Sequence, residues 1–124
     1  VRPGCATGEY GAPEVWGAMG RGAKLQPMPV DVYALGCLIY EILTGRTLFT
    51  GPSEIALVTL HISHDGNPMP LLELAQKPDM GPLAEVLTGC LRHKPDDRLT
   101  ITEVREKLHG LRASLSSASW PLAV

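Results

Sequence analysis

The segment from Asp31 to Thr44 constrains the fold more than any other part of this sequence. Its apolar side chains stand on nearly every face of the helix that it would form, which is the pattern of a helix buried on most sides. Pro29 before it, Asp31 at its positive end and Gly45 after it predict where this helix begins and ends. A helix of this kind needs neighbours on all sides, and a chain of 124 residues supplies few. We therefore expect part of its apolar surface to stay uncovered.

Three further helices are predicted from apolar spacing and from residues that start and stop helices. They run from an N-cap at Ser53 to about His64, from Pro82 to about His93, and onward from a capping box formed by Thr100 and Glu103. The Gly- and Pro-rich segment 1–29 is expected to be loop around one short helix, and 69–80 a connector with one helical turn. No strand pattern or repeat is present, so the predicted fold class is all-α.

Composition narrows the classes of function. The net charge of −2, without a basic run, gives no reason to expect nucleic acid or an anionic membrane as a partner. The longest apolar stretch, Val32–Leu43, is too short to span a bilayer, and the chain does not open like a signal peptide. Cys5, Cys37 and Cys90 are odd in number and far apart, which argues against a disulfide framework and a Cys-based zinc site. A reducing, cytoplasmic environment fits them best.

Four short motifs follow one another along the chain. They are ATGEYGAPE at Ala6–Glu14, DVYALGC at Asp31–Cys37, LTG and LF at Leu43–Phe49, and KPDDRLT at Lys94–Thr100. Each motif is weak by itself, but the order and separations are specific. Together they resemble the lower half of the C-terminal lobe of a eukaryotic-like, bacterial-type protein serine/threonine kinase domain, from the end of the activation segment onward.

The resemblance implies a domain organisation. Residues 1–113 are expected to be a partial kinase domain, all-α as present although the whole kinase fold is α+β with two lobes, and residues 114–124 a tail or linker. Thr7, three residues before Tyr10, is similar to the serine/threonine branch of the family. The chain departs from the usual pattern at three positions: Gly8 and Leu99 stand where proline is usual, and Gly11 where Met or Arg is frequent.

Phosphoryl transfer needs groups that hold and neutralise phosphates and a carboxylate that orients the attacking hydroxyl. In kinases these belong to a Gly-rich loop, a strand lysine, an HRD loop with its Asn, and a DFG triplet. The sequence contains none of them, and Gly20–Gly22 follows no strand and is interpreted as a flexible loop. The resemblance implies a whole protein that uses ATP and Mg²⁺ to phosphorylate Ser or Thr of protein substrates. We expect this chain alone to be inactive and to bind neither ATP nor Mg²⁺.

Two alternatives remain open at this point. A pseudokinase would keep the same fold as a regulatory scaffold without catalysis, and it differs only in residues that this sequence lacks. An unrelated small helical interaction domain is disfavoured by the four ordered motifs. If the resemblance holds, the expected partners are a protein substrate and the missing part of the same domain, namely the N-lobe and the half that carries the catalytic loop.

The resemblance also assigns roles to single residues. The loop expected to face the protein substrate consists of Thr7, Gly8, Glu9 and Tyr10. Glu14 and Arg98 are expected to form a buried ion pair; without the resemblance, two unrelated surface charges would be favoured. Asp31 is expected to anchor the catalytic loop, and by itself it is a residue that compensates a helix dipole.

Metal binding has little support in the sequence. His61 and His64 are three residues apart on a predicted helix and could share a metal along one face, but no third ligand is evident. Solvent-facing or capping roles are favoured for both. Cys5 lies near Arg2, but nothing nearby would reliably lower its pKa. We therefore predict no metal site.

Overall fold

A computed structural model describes residues 10–18 and 27–122 of the chain. Within these ranges helices are joined by short turns and no strand occurs, which confirms the predicted all-α class. The helices are α1 (Pro13–Ala18), α2 (Pro27–Thr44), α3 (Glu54–Ile62), α4 (Met69–Ala75), α5 (Gly81–Cys90), α6 (Ile101–Gly110) and α7 (Arg112–Leu115), with a 3₁₀ turn at Pro95–Asp97 before α6.

Helix α2 begins at Pro27, four residues before the predicted start at Asp31. Prolines at Pro27 and Pro29 are compatible with this start, because the first amide groups of a helix have no partner within it. Asp31 therefore lies in the second turn with an exposed side chain, and its predicted place at the helix end is wrong.

The predicted N-caps of α3 and α6 are confirmed by their hydrogen bonds. The Ser53 hydroxyl accepts the Ala56 N–H at 3.2 Å. The Thr100 hydroxyl accepts the Glu103 N–H at 3.1 Å, and the Glu103 carboxylate accepts the Thr100 N–H at 3.0 Å. That backbone bond lowers the pKa of Glu103. Both helices thus start directly after the residues that the sequence predicts as their N-caps.

The connector 69–80 is more helical than predicted, and α5 ends earlier. Helix α4 occupies seven residues of the connector, because its side chains Leu71 and Leu74 are buried in the core and stabilise a second turn. Helix α5 ends at Cys90, three residues before the predicted end near His93. Between Cys90 and Pro95 the backbone is not helical, so its carbonyl groups can accept hydrogen bonds from side chains.

The core lies between α2, α4 and α5. The fully buried large side chains there include Tyr33, Leu71, Leu74, Leu83, Leu87 and Leu91. Cys37 and Cys90 are buried free thiols. Burial raises the pKa of Cys90 to about 12 and moves that of Cys37 higher still. Both thiols are therefore packing residues.

The opposite face of α2 is open. Leu38 is 43% exposed and Ile42 67% exposed, although both belong to α2, the longest helix in the described part of the chain. This is the uncovered apolar surface that the sequence predicts. At the end of α2 the backbone N–H of Leu122 donates to the carbonyl of Leu43 at 2.7 Å, so the last described residues run back along the helix. In the described part of the chain, no helix combines the length and apolarity needed to cross a bilayer.

Helices α2 and α5 cross closely at Gly36. A Cβ added at Gly36 would lie 2.8 Å from the Cβ of Cys90 and 3.1 Å from Cδ2 of Leu91, and the Cβ of Cys90 cannot move without shifting α5. We expect Gly36→Ala to destabilise the fold by about 1–3 kcal/mol through overpacking. Gly110→Ala is the control, because no atom lies within 4 Å of the added carbon; it should be neutral or stabilise by up to about 1 kcal/mol. Denaturant unfolding of both variants checks the prediction, and equal effects would contradict it.

Candidate functional site

The Arg98 guanidinium is the most highly coordinated charged group in the described part of the chain. Its side chain is fully buried, and Nη1 and Nη2 donate to the two carboxylate oxygens of Glu14 at 2.5 and 2.7 Å. Nη1 also donates to the Pro29 carbonyl at 3.0 Å, Nε to the Arg92 carbonyl at 2.8 Å and Nη2 to the His93 carbonyl at 3.1 Å. All five N–H groups of the guanidinium therefore have acceptors.

The ion pair joins parts of the chain that are distant in sequence. Glu14 lies in the first turn of α1, where the positive end of the helix favours a carboxylate. Its side chain is only 19% exposed. The face of the guanidinium lies 5.0 Å from the centroid of the Tyr33 ring, so α2 contributes a cation–π contact from below. The structure thus brings together the two residues that the sequence pairs by resemblance.

The segment before α1 is fixed to α2 and to its own helix. The hydroxyl of Tyr10 donates to the carboxylate of Glu41, which belongs to α2 and takes no part in the ion pair. The indole of Trp16 donates to the carbonyl of Gly11 at 3.2 Å, and its ring occupies the space that a side chain at Gly11 would need, with ring atoms 2.5 Å from an added Cβ. Sequence reasoning missed Trp16; the missing side chain at Gly11 was the signal.

Tyr10 and Asp31 line one open cleft of about 500 Å³, together with Ala34, Leu35 and Leu38 of α2. Asp31 is exposed at the edge of this cleft. Thr7, Gly8 and Glu9, the rest of the predicted substrate-facing loop, lie outside the described residues, as do Cys5 and Gly20–Gly22. The cleft therefore joins one predicted substrate residue and the predicted anchor to the open apolar face of α2.

A second cluster lies on the other side of Tyr33. Its hydroxyl is 2.7 Å from Nδ1 of His61 and 3.0 Å from Nε2 of His64, and Phe49 packs edge-on against the His61 ring. His61 is fully buried, so the predicted solvent-facing or capping role is wrong for it. His64 lies beyond the end of α3 and caps no helix; its Nδ1 accepts the Gly66 N–H at 2.9 Å within the turn that follows. The three-residue spacing of the two histidines is the only sequence signal for this cluster.

Ionisation in this cluster is shifted toward the neutral forms. Burial, with smaller contributions from His61 and His93, lowers the pKa of His64 to about 4. Burial and the neighbouring Cys37 raise the pKa of Tyr33 far above its ordinary value. Within residues 10–18 and 27–122 no three His, Cys, Asp or Glu side chains meet as a metal site would require.

Comparison with known proteins identifies the family. The family model described as "Protein kinase domain" matches residues 2–109. The chain belongs to the protein kinase domain family. The stretch that matches carries the motifs of the C-terminal part of that domain, which agrees with the resemblance drawn from Ala6–Glu14 and Lys94–Thr100.

Several curated bacterial proteins are similar to this chain. Serine/threonine-protein kinase PkaA of Streptomyces coelicolor is 40% identical over 92 residues, which cover 74% of this chain and 15% of PkaA. Serine/threonine-protein kinase PknB of Mycolicibacterium smegmatis is 39% identical over 80 residues, 63% of this chain and 12% of PknB. The probable serine/threonine-protein kinase CE0033 of Corynebacterium efficiens is 33% identical over 116 residues, 91% and 17% respectively. The chain thus spans less than a fifth of the length of these relatives.

Removal of the Arg98 guanidinium should destabilise the kinase segment severely. Arg98→Ala leaves the Glu14 carboxylate and three backbone carbonyls without their donor, and we expect a loss of about 3–5 kcal/mol in the free energy of unfolding. Arg98→Lys should recover little of this, because an ammonium has three donors and no planar fork. Exposed Arg105→Ala on α6 is the matched control and should change stability by less than about 0.5 kcal/mol. Wild-type-like unfolding of Arg98→Ala would contradict the role given to the pair.

Proposed function

We propose that this chain is the substrate-docking and scaffold part of a protein serine/threonine kinase, which transfers the γ-phosphate of ATP to Ser or Thr of protein substrates. The observation that carries the proposal is the saturated Arg98 guanidinium, which ties the segment ending at Glu14 to α2 and to the end of α5. A loop fixed in this way can present a substrate hydroxyl at a constant position, and positioning is most of what a kinase domain contributes to the reaction.

In this proposal Thr7, Gly8, Glu9 and Tyr10 face the protein substrate. The Tyr10 hydroxyl is held by Glu41, which supports a fixed rather than a free loop end. Asp31 would accept hydrogen bonds from the catalytic loop, since its side chain is exposed at the cleft beside the open face of α2. These residues bind and orient, and none of them carries out the chemical step.

The described residues do not fit a site for ATP or Mg²⁺, because they contain no cluster of metal-ligating side chains and no Gly-rich loop after a strand. In the proposal ATP and Mg²⁺ are bound by other parts of the kinase, and the chain alone neither binds nucleotide tightly nor transfers phosphate. Two free, buried thiols support the proposed reducing, cytoplasmic environment.

The proposed partner inside the same protein is the half of the kinase domain that carries the catalytic loop. The apolar face of α2 at Leu38 and Ile42 supports this, because exposed apolar surface on a central helix is typical of an interface. The cleft that joins this face to Tyr10 and Asp31 has room for a loop to enter.

A domain exchange tests the proposed function. The segment of the PkaA kinase domain that matches this chain is replaced by this chain, and phosphate transfer from ATP to a Ser/Thr-containing protein is measured. We expect activity, and we expect Thr7→Val in the hybrid to lower kcat/KM roughly tenfold to a hundredfold through loss of positioning. Thr59→Val, exposed on α3, is the control and should leave kcat/KM unchanged. A folded hybrid without activity would contradict the proposed docking and scaffold role of this chain.

The open face of α2 predicts a property of the isolated chain. It should bind a hydrophobic dye and tend to aggregate, because Leu38 and Ile42 are exposed. Replacing both by Lys should reduce dye fluorescence severalfold while the free energy of unfolding changes little. Ile55→Lys is the control, since Ile55 is 80% exposed and lies on a different helix. A sharp two-state melt of a soluble monomer without dye binding would count against the proposed interface.

A further inference from the structure

The Tyr33 hydroxyl and its two histidines form a hydrogen-bond chain whose direction can be assigned. The backbone N–H of Gly66 donates to Nδ1 of His64, so this nitrogen carries no proton. In the neutral ring the proton must then be on Nε2, which lies 3.0 Å from the Tyr33 oxygen and donates to it. The single hydroxyl proton of Tyr33 is thus left to donate to Nδ1 of His61 at 2.7 Å. The chain runs from His64 through Tyr33 to His61.

A second proton on His64 is incompatible with this arrangement. It would have to bind at Nδ1, which would place an N–H group against the Gly66 N–H at the present separation of 2.9 Å. The ring would then have to turn away from Gly66, from Tyr33 or from both. Gly66 itself cannot easily follow, because its φ of +84° is a left-handed conformation and its backbone lies close to α5, where a Cβ added at Gly66 would be 2.7 Å from the carbonyl oxygen of Thr88.

The turn capped by His64 is connected to Arg98. Asp65 accepts the backbone N–H of His93 at 2.9 Å, and its other oxygen forms an ion pair with Arg92 at 3.1 Å. The carbonyls of Arg92 and His93 are two of the five acceptors of the Arg98 guanidinium. A displacement of the turn therefore moves backbone that holds the buried ion pair with Glu14.

We propose that these contacts form an acid-sensitive latch, in which the chain His64–Tyr33–His61 holds His64 neutral and protonation of His64 releases the turn at Asp65–Gly66 and loosens the Arg98 site. The latch adds a regulatory device to the scaffold and does not depend on which substrate the kinase phosphorylates. Its trigger, His64, lines an open cleft of about 980 Å³ and is therefore within reach of solvent protons.

The charged and titratable groups around His64 come from every element packed against it. His61 at the end of α3, His93 beside the turn and Arg98 oppose a positive charge on His64, and Asp65 favours one. Tyr33 of α2 is neutral, and Lys94 and Asp97 line the same cleft. Burial is the largest contribution, and the pKa of His64 is lowered from 6.5 to about 4. The contribution of neutral His64 to the free energy of unfolding is complete above about pH 6.5 and is lost as the pH falls toward 4.

Nitrogen-15 NMR of the histidine rings in the full chain tests the hydrogen-bond chain directly. We expect His61 and His64 both as the neutral form protonated at Nε2 at pH 7, and His64 still neutral at pH 5.5. His64 protonated at Nδ1 at pH 7, or already carrying two protons at pH 5.5, would overturn the proposal.

The effect on stability is measured by denaturant unfolding between pH 7 and pH 4. In the wild-type chain the unfolding constant should rise by up to tenfold per pH unit below pH 6.5, reduced because the ring is partly exposed. In His64→Asn the side-chain oxygen can still accept from Gly66 but does not titrate, so this rise should be smaller than in the wild type. His109→Asn should keep the wild-type slope, which shows that the smaller rise in His64→Asn is specific to His64 and does not follow from the loss of any histidine.

The connection to Arg98 has its own readout. The Nε–H resonance of Arg98 should shift over the pH range in which His64 titrates, and this part of the shift should disappear in His64→Asn. An identical Arg98 response in both proteins would overturn the link between the latch and the ion pair. If His64→Asn does not fold, His64→Gln replaces it, since its amide group can donate to Tyr33 without titrating and should show the same loss of pH dependence.

Discussion

The buried guanidinium of Arg98 is the contact on which the arrangement of the other segments depends. Transfer of a charged group out of water is costly, and it is tolerated here because a carboxylate and three backbone carbonyls accept all five of its N–H groups. The acceptors belong to α1, to the first turn of α2 and to the segment after α5. Each of these segments must hold its position for Arg98 to keep its hydrogen bonds to the others. A displacement of one segment therefore weakens the contacts of all three with the guanidinium.

The segment after α5 shows how the chain meets this requirement with its own residues. Leu99 stands where the kinase family usually has proline, and its backbone N–H donates to the carbonyl of Gly89 at 2.9 Å, a bond that proline cannot make. The Leu99 side chain packs against Gly89 so closely that a Cβ added at Gly89 would lie 2.6 Å from Cδ1 of Leu99. The departure from the family pattern thus comes with a hydrogen bond and a close contact that fix the backbone next to Arg98.

The sequence predicts the local features of this fold better than the contacts between its elements. The capping box of Thr100 and Glu103 is a contact between residues three apart, and it could be read directly. The predicted start of α2 is wrong because it treats Pro29 as a boundary, whereas the first turn of a helix tolerates proline. Tyr33 and His61 are 28 residues apart, and no pattern of spacing indicates that such residues meet. Glu14 and Arg98, 84 residues apart, were paired only through the family resemblance.

The two faces of α2 have opposite physical characters, and this division gives the segment its role. On one face Tyr33 packs beneath the guanidinium and its hydroxyl forms a hydrogen bond with His61, so this polar group is paired inside the core. On the other face Leu38 and Ile42 face solvent beside a cleft that includes Tyr10 and Asp31. A rigid, satisfied side can hold a loop in place, and an apolar, open side can receive another part of a domain. Since one helix carries both, whatever docks on the open side is held at a fixed distance from the loop that Glu14 and Arg98 position.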